Sequence, residues 1–163
     1  MRKYLLPNAD TTIYQAFKNN NAGFDEVLEI GKVINLDMDL VNPTSYASGS
    51  ARAILNFDLP TIATVPATAK YFLNLRLANA NDINRNQKIV IYQISRSWDE
   101  GSGFFYQNVK NVDNGATWNR CTSAVSWSNA GGDFLTGSTS QSLSLSVYPI
   151  QDIRVDVTNI IQP

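Results

Sequence analysis

Hydrophobic residues fall at every second position in three stretches of this chain. Tyr71, Leu73, Leu75 and Leu77 alternate with Phe72, Asn74 and Arg76. Ala51, Ala53, Leu55 and Phe57 alternate with Arg52, Asn56 and Asp58, and only Ile54 breaks the polar series. Leu143, Leu145 and Val147 alternate with serines. Successive side chains of a strand point to opposite faces, so each stretch predicts a strand with one buried face. The run Ile89-Val90-Ile91-Tyr92 is apolar on both faces and predicts a central strand covered on both sides. Further strands are expected at Thr11–Phe17, Val27–Asn35 and Arg154–Ile161, with a short helix or turn as an alternative around Asn159–Gln162. Turn-forming runs separate these elements: Asn19-Asn20-Asn21-Ala22-Gly23, Asn42-Pro43, Asn79-Ala80-Asn81-Asp82 and Gly101-Ser102-Gly103. The pattern predicts an all-β protein, an antiparallel β-sandwich or jelly roll. Its core is expected to hold Leu55, Phe57, Leu73, Leu75, Ile91 and Leu145.

All three tryptophans, Trp98, Trp118 and Trp127, fall in a stretch rich in Gly, Ser and Asn that closes on Gly131-Gly132-Asp133-Phe134. A tryptophan brings a large apolar body and an N–H that needs a partner when buried. Three of them here predict a long loop ordered by aromatic anchors. Trp98 and Trp118 are expected to pin that loop. Trp127, Phe104, Phe105 and Tyr106 are less constrained and are the candidate binding surface, for glycan or for protein.

Length and composition narrow the function. A chain of 163 residues, 44% hydrophobic, suits one β-sandwich domain over 1–163. The net charge is −1, and the Lys and Arg residues are scattered rather than striped, which argues against nucleic acid. The segment Met1-Arg2-Lys3-Tyr4-Leu5-Leu6-Pro7-Asn8 starts like a signal peptide but lacks an apolar run, and nothing is apolar for long enough to predict membrane insertion. Synthesis in a cytoplasm is expected, the chain staying there or leaving in a particle released by lysis. A single cysteine, Cys121, allows no intrachain disulfide and reads as a small buried hydrophobe. The chain has no histidine, so Ser–His–Asp and Cys–His chemistry cannot be built. Neighbouring carboxylates such as Asp99 and Glu100 point to opposite faces if extended, which does not suit a glycosidase cleft. No enzymatic activity is expected.

An ordered series of short segments then carries a resemblance. Asp10-Thr11-Thr12-Ile13 and Ser50-Ala51-Arg52-Ala53-Ile54-Leu55-Asn56-Phe57-Asp58 are followed by the leucine-alternating strand at Tyr71–Leu77. Next come Val90-Ile91-Tyr92, Trp98-Asp99-Glu100, Thr117-Trp118-Asn119, a Gly-Gly-Asp and Asp156-Val157-Thr158. In this order, over roughly residues 10 to 158, they resemble the DNRLRE-type domain. The resemblance implies a carbohydrate-module-like β-sandwich, found as non-catalytic modules in secreted proteins and, in similar form, in structural proteins of tailed phages. Such modules often carry one structural calcium, for which Asp10 and Asp156 are the candidate ligands; no other cofactor is expected. The family pattern continues with further strands where this sequence reaches Pro163. A longer polypeptide or a neighbour's strand is therefore expected to complete the sheet. Two functions follow. One is a non-catalytic virion structural protein of a tailed bacteriophage, partnered by copies of itself and other virion proteins, with a cell-surface glycan as a further partner. The other is a carbohydrate-binding module of a secreted bacterial protein.

Overall fold

The computed structural model describes residues 2–34, 48–59, 65–78, 87–104, 114–137, 140–145 and 152–162. The protein is all-β, with small antiparallel sheets and, among the described residues, one four-residue helix. Two compact units form, Met1–Leu59 with Arg96–Asp133 and Pro60–Ser95 with Phe134–Pro163.

The first unit holds a three-stranded sheet of β1 (Ala9–Tyr14), β2 (Gly31–Ile34) and β3 (Ser48–Asn56), with β3 in the middle. Thr11 lies opposite Ile54, Ile13 opposite Arg52 and Tyr14 opposite Ala51. Residues Thr11, Thr12, Ile13 and Tyr14 are all buried, so both faces of β1 are covered. On one face Tyr14, Ala22 and Ala51 cluster with Phe17, whose ring meets Tyr14 edge-on. On the other, Ile54 is buried beside Arg52. The expected core positions Leu55 and Phe57 are only half-buried, and Ile54, the apparent break in the pattern, is the buried residue. The reason is that β3 is covered on both sides, so burial does not follow a single face. The first strand ends at Tyr14 rather than Phe17, because the Phe17 N–H turns back to donate to the Tyr14 carbonyl.

The second unit follows its alternation closely. β4 (Phe72–Leu75) pairs with β7 (Ile153–Asp156), and β5 (Gln87–Ile91) pairs with β6 (Gln141–Leu145). Tyr71, Leu73, Ile91, Leu143 and Ile153 pack around buried Val155, Val157 and Ile160. Leu73, Leu75, Ile91 and Leu145 face inward as expected but are half-buried. Two expectations are corrected. The strand expected over Ile89–Tyr92 is not covered on both sides: Val90 is 38% and Tyr92 37% exposed. The strand expected over Arg154–Ile161 stops at Asp156, and the short helix read as the alternative around Asn159–Gln162 is present as α1 (Thr158–Ile161). The diversion is built from side chains: Asp156 Oδ1 accepts the Thr158 N–H at 2.9 Å, and Thr158 Oγ1 accepts the Tyr71 N–H at 3.0 Å. Val155, Val157 and Ile160 are covered by side chains of their own unit, and among the described residues β7 pairs with β4 alone.

Candidate functional site

The tryptophan-rich segment of the first unit is organised around Asn21, which is 3% exposed. Its Nδ2 donates to the carbonyls of Glu100 (2.7 Å) and Ala116 (2.8 Å). Its Oδ1 accepts the N–H groups of Gly103 (2.7 Å) and Gly23 (3.2 Å). An amide has two donor hydrogens and two acceptor lone pairs, so this side chain is fully used. It ties together backbone from three distant stretches. Gly101 and Gly115 have φ of +80° and +117°. A side chain on Gly115 would stand 2.6 Å from the Gly101 nitrogen, so the two main chains meet at a distance only glycine permits.

Trp118 and Trp127 are both buried. The Trp127 Nε1–H donates to the Thr117 carbonyl at 2.8 Å. The Arg52 guanidinium lies 4.7 Å from the centre of the Trp118 ring, and its Nη1 donates to the Gly131 carbonyl at 2.6 Å. The Gly131 N–H in turn donates to the Trp118 carbonyl. The loop is thus clasped to β3 through a cation–π contact and a charge-assisted hydrogen bond. Asp133 closes the segment: its carboxylate accepts the N–H groups of Ser128 and Asn129 and lies 3.4 Å from Arg96 Nε. Those backbone donors, the Ser128 N–H first, hold its pKa below the ordinary carboxylate value, with Arg96 adding to the effect. Glu100 Oε1 accepts the Asp10 N–H at 2.9 Å. Burial, and then the Glu100 charge, push the Asp10 pKa up.

The candidate residues fare differently. Trp127 is no surface platform: at 5% exposure, with its N–H bonded inside, it offers no ring face to a ligand. The indole needs an internal acceptor, and Thr117 supplies it. Phe104 is half-buried and meets Phe24 edge-on at 5.6 Å, and Phe24 is 52% exposed. Phe105 and Tyr106 lie outside the described residues. Of the candidate calcium ligands, Asp10 sits on β1 of the first unit and Asp156 on β7 of the second. The Asp156 carboxylate accepts from Thr158, whose side chain and N–H lower its pKa. Among the described residues no three metal-ligating side chains come together. Cys121 is buried, with Sγ 3.3 Å from the Val125 carbonyl.

Sequence reading missed two features. Asn21 stood in a run of asparagines that marks a turn, and nothing local tells which of the three is buried. The Tyr92–Phe134 contact, with ring centres 5.0 Å apart, joins residues read as belonging to different elements. Among the described residues no helix is long and apolar enough to cross a membrane. No protein-family model, curated protein or solved structure matches the chain.

Proposed function

We propose that this chain is a non-catalytic virion structural protein of a tailed bacteriophage, a capsid decoration, neck, baseplate or fibre component. In this reading its small antiparallel sheets are parts of a β-sandwich of jelly-roll type. The ordered DNRLRE-like segments and the absence of histidine support the reading. The observation that carries it is the orientation of the large side chains. Trp118 and Trp127 are turned inward as anchors, while Tyr4 and Leu6 stand exposed ahead of β1 and Phe24 stands exposed beside Phe104. Apolar side chains on such a surface gain by burial against a neighbouring copy. The partners are copies of the chain and other virion proteins.

A carbohydrate module is the second reading, and one observation favours it. On the outward face of β5 and β6, Val90 lies opposite Ser142 and Lys88 opposite Ser144, and the Tyr92 ring stands 37% exposed just past β5. Mass spectrometry and immunogold labelling of purified particles separate the two. The virion reading expects several copies per particle. Absence from particles, together with polysaccharide binding lost on Tyr92→Ala, would establish the other.

A further inference from the structure

Asn114-Gly115 is the only Asn-Gly step in the chain, and the fold holds it in an unusual setting. Asn114 is exposed, and among the described residues its amide is held by Ser102: Oδ1 accepts the Ser102 N–H at 3.1 Å. The Ser102 hydroxyl lies 3.2 Å from Oδ1 and 2.8 Å from Nδ2. Gly115 has a positive φ, and a side chain there would collide with the Gly101 main chain. The loop therefore demands glycine after Asn114, and a glycine has no Cβ to crowd its own main-chain nitrogen.

We propose that Asn114 is a site of spontaneous covalent modification, assisted by Ser102. The Gly115 main-chain nitrogen attacks Asn114 Cγ, and the bond from Cγ to the side-chain nitrogen breaks. The proton lost by Gly115 leaves with that nitrogen as ammonia, and a cyclic succinimide remains. Water then opens the ring, giving aspartate or isoaspartate at 114, with no oxidant or reductant consumed. The Ser102 N–H faces Oδ1, where negative charge develops in the tetrahedral intermediate. The Ser102 hydroxyl donates to the same Oδ1 at 3.2 Å as a second oxyanion donor, and its oxygen accepts an Nδ2–H at 2.8 Å, which orients the departing nitrogen. The two products differ in consequence. Aspartate keeps an acceptor for the Ser102 N–H. Isoaspartate lengthens the main chain by one methylene immediately before Gly115, which packs against Gly101. That product loosens the crossing of the two loop segments that Asn21 staples through Glu100 and Ala116. The modification is a timer on the tryptophan-anchored loop.

The test is incubation of the full folded chain at mildly alkaline pH, followed by peptide mass mapping and enzymatic isoaspartate labelling. Asn114 is expected to convert faster than every other asparagine in the chain, and Asn114→Gln to abolish the labelled product. Ser102→Ala is expected to slow conversion by about tenfold, the effect of losing one well-placed transition-state hydrogen bond. In chain unfolded by urea, Ser102→Ala and the parent are expected to convert equally. Ser102→Thr, which keeps the hydroxyl, is expected to retain the parent's rate. It serves as the control should Ser102→Ala fail to fold by circular dichroism. Two results would overturn the proposal. One is a folded Asn114 that stays intact while the unfolded chain converts, which makes Ser102 a protecting clamp. The other is Ser102→Ala or Ser102→Thr converting faster than the parent in the folded state.

Discussion

The two units of this protein are held together by different means. In the second, apolar residues at alternate positions of β4, β5, β6 and β7 meet around Val155, Val157 and Ile160. The stabilising term there is the removal of apolar surface from water, and it is spread over many similar contacts. In the first, single polar groups link backbone segments 79 to 95 residues apart: Asn21 to Glu100 and Ala116, and Arg52 to Gly131. A buried polar group with all its bonds made is specific, and with one missing it is costly. The first unit should therefore fail sharply at a few positions, and the second should weaken gradually at many.

The largest effect is expected at the hub. Asn21→Ala leaves the Glu100 and Ala116 carbonyls and the Gly23 and Gly103 N–H groups without their partner. At about 1–3 kcal/mol for each unsatisfied buried group, partly relieved by water, the loss is about 3–5 kcal/mol in urea unfolding. A change below about 1 kcal/mol would show that the hub is incidental. Next comes Val155→Ala in the second unit, which removes buried methyl groups and is expected to cost about 2 kcal/mol. Half-buried Leu75→Ala should cost less than a fully buried leucine. The second unit is thus expected to show a gradient of effects with burial, in place of a single critical residue.

These differences also account for what the sequence disclosed. The period-two pattern at Tyr71–Leu77 and Leu143–Val147 corresponds to β4 and β6, because in a two-stranded ribbon with one covered face, burial and alternation coincide. The same logic misplaced the core at Leu55 and Phe57, since Ile54 and Ala51 lie on opposite faces of a strand covered on both. The short helix around Asn159–Gln162 is one of two readings of the sequence, and what favours it over a continued strand includes the Tyr71 N–H donating to Thr158 Oγ1 from 87 positions earlier. The tryptophans predicted an anchored loop, and Trp118 and Trp127 are buried in one. Which tryptophan keeps a free face depends on where an acceptor such as the Thr117 carbonyl lies, which composition does not encode.

A smaller effect is expected at the clasp between β3 and the loop. Arg52→Met keeps the apolar stem over Trp118 but loses the guanidinium contact and its bond to Gly131. The expected cost is about 1–2 kcal/mol, and Arg52→Lys should recover only part of it. An unchanged denaturation midpoint for Arg52→Met would remove the clasp from the account.

The smallest effect is pH-dependent. Asp133 has a folded pKa below its ordinary value of 3.8, so its ionised form is favoured by folding. Its contribution is fully present above the unfolded value and is lost as pH falls from there through the folded one. Asp10 shifts the opposite way and favours folding as pH falls, so the two partly offset each other. Melting temperature followed from neutral to acid pH should fall further for the parent than for Asp133→Asn. Parallel curves would show that Asp133 does not hold the Ser128–Asn129 turn by its charge.

Hydrogen exchange of backbone amides in the native protein tests the contrast most directly. The Gly103, Ala116, Trp127 and Gly131 amides donate hydrogen bonds within the loop, to Asn21 or to backbone carbonyls. They are expected to exchange as slowly as the amides of the β1–β3 ladder, and Asn21→Ala is expected to release Gly103 and Ala116 together. Exchange of the four at the rate of exposed, unbonded amides in the parent protein would contradict the account.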